Sequence, residues 1–184
     1  MFLKRRHFKT FPATTLGVIT ALTFGISGCS GDSEKRNYAI PDSLCGTAID
    51  AKDLAPFLPS GRDASVREKK YSGTRRCEVV VDDTLIVTTT LTWLKEGTTT
   101  VEFAYGQTLD NPKKSADGGR YRYSGYEAFG STTNCVDAKA KQALYTAIQA
   151  QGSKHRDAEA MKRLIISFTK NVEASAACRT GSDQ

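Results

Sequence analysis

Leu85-Ile86-Val87-Thr88-Thr89-Thr90-Leu91-Thr92-Trp93 is the stretch on which the fold turns. Leu85, Val87, Thr89, Leu91 and Trp93 alternate with Ile86, Thr88, Thr90 and Thr92. A period of two in β-branched and aromatic residues predicts a strand with one face buried. Upstream, valine-rich Cys77 to Val81 reads as a short strand, with Asp82-Asp83 as the turn between the two. Downstream, Lys95-Glu96-Gly97 turns the chain, and the alternation of Val101, Phe103 and Tyr105 predicts a third strand. The charged, glycine-containing segment from Ser60 to Arg76 reads as an exposed loop, as does Asp110 to Gly119. Arg120 to Phe129 leads into a strand ending near Cys135.

Helical signals flank these strands. Asp50 is placed to cap a short helix in which Leu54, Phe57 and Leu58 share a face, with Pro59 and Gly61 stopping it. Near the end, Asp157 caps a longer helix whose Met161, Leu164, Ile165, Phe168 and Val172 form one apolar stripe. Residues 138–151 support two readings. Their alanines and lysines favour helix with Gly152 as C-cap, whereas Leu144, Thr146, Ile148 and Ala150 alternate as a strand does.

The first residues carry an address. Lys4, Arg5, Arg6 and Lys9 precede the uncharged stretch Ala13 to Ile26, which is shorter than the roughly 20 apolar residues of a membrane span. It ends in Ile26-Ser27-Gly28-Cys29, which resembles the lipobox of bacterial lipoprotein signal peptides. That pattern implies cleavage before Cys29 and a diacylglycerol on its thiol. Residues 1–28 are therefore expected to be a signal peptide, 29–38 a lipid-anchored tether and 39–184 one extracytoplasmic domain. Ser30 to Asn37 spans at most about 30 Å. Arg5-Arg6-His7-Phe8 also resembles a twin-arginine signal, so both that route and the general secretory route stay open.

Four of the six net positive charges lie in the signal, which leaves about +2 on the mature part and no support for nucleic-acid binding. With Cys29 set aside, Cys45, Cys77, Cys135 and Cys178 form an even set, expected as two disulfides with three possible connectivities. Cys45–Cys77 and Cys135–Cys178 are favoured because each closes a local loop. Zinc is the competing reading, but the spacing lacks CxxC and His155 is the single histidine of the mature part.

Several segments together resemble a group of small actinobacterial, Streptomyces-type lipoproteins of unknown function. They are Leu44-Cys45-Gly46-Thr47 before a short helix, Arg76-Cys77-Glu78 opening the strands, Phe129-Gly130-Ser131-Thr132-Thr133-Asn134-Cys135, Leu144-Tyr145-Thr146-Ala147-Ile148-Gln149, and Ala177-Cys178 after the last helix. The resemblance implies an α+β fold, a curved antiparallel sheet packed by the short and the long helix. It tips residues 143–150 towards strand and implies no activity.

No motif for catalysis, a cofactor or a metal stands out. His155 lies in the polar segment Ser153-Lys154-His155-Arg156-Asp157, where a solvent-exposed side chain is the expectation. Arg120-Tyr121-Arg122-Tyr123-Ser124-Gly125-Tyr126 offers a possible binding patch of Arg120, Tyr121, Arg122, Tyr123 and Tyr126 for a wall glycan or an envelope protein. Its structural alternative is a strand that packs Tyr121 and Tyr123 on the core while the arginines face water. The sequence thus predicts a non-enzymatic envelope lipoprotein on the outer face of the bacterial cytoplasmic membrane. An envelope hydrolase using His155 is the alternative.

Overall fold

The computed structural model describes residues 35–179; Cys29 and the expected signal peptide lie outside them. Seven strands form one antiparallel sheet: β3 (Ala64–Tyr71), β4 (Thr74–Val81), β5 (Thr84–Lys95), β6 (Lys114–Ala116), β7 (Tyr121–Tyr123), β8 (Glu127–Asp137) and β9 (Gln142–Gln149). Their spatial order is β3-β4-β5-β9-β8-β7-β6. A separate two-residue hairpin pairs β1 (Ser43–Leu44) with β2 (Thr47–Ala48). Among the described residues three α-helices complete the fold: α1 (Ala51–Leu54), α2 (Thr100–Ala104) and α3 (Ala158–Ala174). This is the expected α+β class, with the sheet as its larger part.

The central strand forms where the alternation placed it, with one change of phase. Val79 sits opposite Val87 and Val80 opposite Leu85, so Ile86 is an extra residue on β5. Such a bulge bends the strand and lets two consecutive side chains turn to one face. Ile86 and Val87 are both buried, and Ile86 takes the core position that the simple alternation gave to Leu85. The Asp82-Asp83 turn has both residues at positive φ, as a two-residue hairpin requires.

Three expectations are corrected. Ser60 to Arg76 is not a loop: it holds β3 and the start of β4, joined through Gly73. The strand escaped notice because an edge strand with exposed side chains on both faces has no hydrophobic period. Its charges protect the edge, and Lys69 pairs with Glu78 across the ladder at 2.8 Å. Val101 to Tyr105 is helical, not a strand. Thr99 caps α2, accepting from the Glu102 amide while the Glu102 carboxylate accepts from the Thr99 amide. Phe103 and Ala104 are buried, while Val101 and Tyr105 are exposed. Within Asp110 to Gly119, Lys114–Ala116 forms the far edge strand.

The open question at residues 138–151 resolves as strand. β9 pairs with both β5 and β8, and these two ladders outweigh the local helical preference of its alanines. Asp157 caps α3 by accepting from the amides of Glu159 and Ala160. Its stripe of Met161, Leu164, Ile165, Phe168 and Val172 is buried against one face of the sheet. On the opposite face, α2 covers a smaller cluster in which Phe103 meets Phe129 edge to face, ring centroids 5.4 Å apart.

Both disulfides have the favoured pairing. Cys45–Cys77 ties the β1–β2 hairpin to β4, and Cys135–Cys178 ties the turn after α3 to β8. In the chain-entropy picture each contributes on the order of 4 kcal/mol by restricting the unfolded chain.

Gly152 marks a close approach of two backbones. A Cβ there stands 2.1 Å from the Leu85 carbonyl oxygen and 2.8 Å from the Ile86 Cα. Gly152→Ala is therefore expected to cost at least about 2 kcal/mol, read as a lowered midpoint in denaturant unfolding.

Candidate functional site

Tyr121 and Tyr123 belong to β7, so residues 121 and 123 share a face, and that face is the core one. They are 1% and 5% exposed. Arg120 donates to the Glu173 carboxylate at 2.7 Å and to the Ser131 carbonyl at 2.9 Å. Arg122 donates to the Pro112 carbonyl at 3.0 Å, and Tyr126 lies under the Arg156 guanidinium at 4.1 Å. The five residues expected as a binding patch therefore do not form an exposed aromatic surface. The run packs and pairs within the domain, as its structural alternative supposed, with the difference that Arg120 turns to a carboxylate rather than to water.

Glu173 holds this corner together. Burial pushes its carboxyl up, but two hydrogen bonds from Thr133 and the Arg120 guanidinium hold it below the usual carboxylate range. Thr133 lies where β8 leaves the ladder between Ser131 and Val136, next to Cys135. One carboxylate thus secures the irregular part of β8, the start of β7 and the end of α3.

Sequence reasoning missed Glu127, which is fully buried. Its carboxylate accepts from the backbone amides of Leu109 at 2.7 Å and Asp110 at 3.0 Å, fastening the connection between α2 and β6 to the sheet. Burial raises its pKa, the two amides oppose that rise, and the neighbouring Asp110 side chain adds to it. The signal for it was a charged residue at a position of β8 whose neighbours are all core-like, Glu127-Ala128-Phe129.

His155 is exposed, on the rim of a cleft of about 820 Å³. Leu58, Val81 and Ile86 supply the apolar floor, and Arg36, Lys154 and His155 stand around it. Ser153 and Asp82 also line the cleft, so the residue types of a hydrolytic triad are near one another. They are not linked as one. The Ser153 hydroxyl bonds the backbone amide and carbonyl of His155. The Asp82 carboxylate accepts from the amides of Arg62 and Asp63, which hold it below the usual range.

The chain enters this cleft from its N-terminal side. Arg36 donates to the Leu58 carbonyl from Nε at 3.1 Å and Nη2 at 2.7 Å, and to the Ala55 carbonyl at 2.7 Å. Its backbone bridges Gly61, and Tyr38 donates to the Pro59 carbonyl. Gly61 is required by closeness, because a Cβ there falls 2.5 Å from Val81 Cγ1. The ordered domain therefore takes hold at Arg36, inside the segment expected as tether.

Across the second sheet face, a shallower groove of about 490 Å³ runs between α2 and β4–β5. Thr74 and Thr92 share a hydrogen bond of 2.8 Å there, and Tyr105 stands 88% exposed beside it. Among the described residues no group of His, Cys, Asp and Glu is arranged to hold a metal ion, and no helix is long and apolar enough to cross a membrane. Compared with family models, curated proteins and solved structures, the chain gives no significant match.

Glu127 gives a test with a defined sign. A carboxyl whose pKa is raised by folding binds its proton more tightly in the native state, so its stabilising effect is lost as pH rises from the ordinary carboxylate range through the raised value. Glu127→Gln has no such loss. The melting temperature of Glu127→Gln minus that of the wild type is expected to increase between pH 4 and pH 8, measured by thermal unfolding across that range. A flat difference shows that burial does not govern this group.

Proposed function

We propose that this protein is an exported lipoprotein, held on the outer face of the bacterial cytoplasmic membrane by a diacylglycerol on Cys29, and that it works as a non-enzymatic binding or accessory protein of the envelope. The observation that carries this reading is the short path from the lipobox to the fold. Arg36 follows Cys29 by seven residues and is already fastened to Ala55 and Leu58. Seven residues reach at most about 25 Å, so an acyl anchor on Cys29 holds the domain against the bilayer.

One further feature supports it: the disulfides suit a compartment outside the cytoplasm. A binding role is preferred to a hydrolase because the Ser153 hydroxyl is spent on the His155 backbone and the Asp82 carboxylate on the amides of Arg62 and Asp63.

Expression in a bacterial host with detergent phase separation tests the anchor. The wild-type chain is expected in the detergent phase with an acylated N-terminal peptide by mass spectrometry, and Cys29→Ser in the aqueous phase. Equal partitioning of the two chains rules out the anchor.

A further inference from the structure

We infer that Glu127 and Asp110 share one proton, and that this proton is a latch. While it is present, the connection from α2 to β6 is closed on the sheet at Asp110. Once it leaves, the Asp110 side chain turns out to water and that end of the connection loosens. The inference goes beyond the function proposed above and rests on it in one respect: a domain outside the cytoplasm meets the pH of its surroundings.

The starting observation is an acceptor without a donor. Asp110 Oδ1 is buried and has no hydrogen-bond partner among the described residues. Leaving a buried acceptor unpaired costs about 1–3 kcal/mol, so such atoms are rare in folded proteins. The other oxygen, Oδ2, faces the Arg156 guanidinium at 3.7 Å. Glu127 supplies the neighbouring carboxyl. Its Oε1 accepts from the Asp110 amide at 3.0 Å and its Oε2 from the Leu109 amide at 2.7 Å. The Asp110 side chain is within hydrogen-bonding reach of the same carboxyl. A carboxylate only accepts, so two ionised carboxylates here leave Oδ1 unpaired and repel each other. One proton on Glu127 makes that carboxyl the missing donor, and its oxygens keep lone pairs for the two amides. A hydrogen bond from a carboxylic acid to a carboxylate is among the short, strong ones.

The surrounding elements offer Glu127 no counter-ion. On β9 the facing group is Gln149, which is neutral and donates to Glu127 Oε2 at 3.4 Å. The cation of β7, Arg122, donates to the Pro112 carbonyl, and Lys114 of β6 is turned to Glu159 at 3.8 Å. On α2, Glu102 closes the helix's own capping box. Before α3, Arg156 lies over the Tyr126 ring and reaches Asp110. A proton is therefore the group that relieves this fully buried carboxyl of its charge.

The connection is held elsewhere by its backbone. Glu127 takes the amides of Leu109 and Asp110, Gln149 donates to the Gln107 carbonyl at 2.7 Å, and Arg122 holds Pro112. The Asp110 side chain is 22% exposed, so a change of rotamer brings its carboxylate into water. Tyr105 and Gln107 belong to the same connection and line the groove between α2 and β4–β5. The proton thus governs how firmly one wall of that groove is held. Burial makes the folded chain bind the proton more tightly than the unfolded chain does. The latch is accordingly closed at acid pH and opens as pH rises through the raised value.

The full chain in micelles of an uncharged detergent, with its glutamate carboxyl carbons labelled with carbon-13, tests the shared proton by NMR from pH 4 to pH 9. The Glu127 carbon is expected to titrate above the ordinary glutamate value of 4.5. Asp110→Asn replaces the acid by an amide able to donate to the ionised carboxylate, and is expected to move that midpoint down. Amide hydrogen exchange tests the latch. Corrected for the base catalysis of exchange itself, protection of the Leu109 and Asp110 amides is expected to fall as pH rises through the Glu127 midpoint. Glu127→Gln carries a permanent donor for Asp110 Oδ1, and its protection at residues 109 and 110 is expected to stay constant.

A Glu127 midpoint at or below 4.5 overturns the inference, and so does a midpoint that Asp110→Asn leaves in place. Protection that is unchanged through the wild-type midpoint, or that falls equally in Glu127→Gln, overturns the latch. The wild-type measurements decide even where a variant fails to fold. None of them depends on acylation of Cys29, so a negative result here leaves the anchor to its own test, and an unacylated wild-type chain leaves the shared proton standing.

Discussion

The fold depends on how closely α3 lies on β7, β8 and β9, and that closeness is set at Gly130. A Cβ at this position stands 2.9 Å from the hydroxyls of Thr146 and Thr169 and 3.1 Å from the Tyr121 ring. With no side chain there, Thr169 on the helix reaches Thr146 on β9, and the two hydroxyls share a buried hydrogen bond of 2.7 Å. A polar pair inside an apolar contact is tolerated because each group satisfies the other. It also fixes the rotation of α3, so that Met161, Leu164, Ile165 and Phe168 bury together. Tyr121 fills the space beside Gly130, which is why Tyr121 faces inward together with Tyr123 on the same face of β7.

Once α3 occupies one face, the remaining geometry follows from what has to be held at its two ends. At its C-terminal end, Glu173 gathers Arg120 and Thr133, and Cys178 bonds Cys135, so β8 is secured across its irregular stretch twice within a short distance. Asp157 caps the N-terminal end, and its amide donates to the Gly125 carbonyl at 2.8 Å. The segment just before that cap carries Lys154 and His155 to the mouth of the cleft. Helix docking therefore orients the rim of the cleft although no residue of α3 lines it.

The parts legible in the sequence were those with a strong period. β5 declared itself through alternating β-branched residues, although Ile86 to Thr92 are buried on both faces and not on the one expected, and α3 through its stripe and cap, because one helix face meets the core. β3 has no buried face, and α2 is one turn long, so Val101, Phe103 and Tyr105 fit a strand period as well as a helix. The Thr99–Glu102 capping box was the better guide, and it was present in the sequence. The disulfides were legible because four cysteines allow only three pairings. Glu127 and the cleft were not. The cleft draws on Arg36, on residues 56–60, on 81–86 and on 152–155, which the sheet order and the Ile86 bulge bring together. No periodic signal marks such a site, because each contributing segment is ordinary by itself.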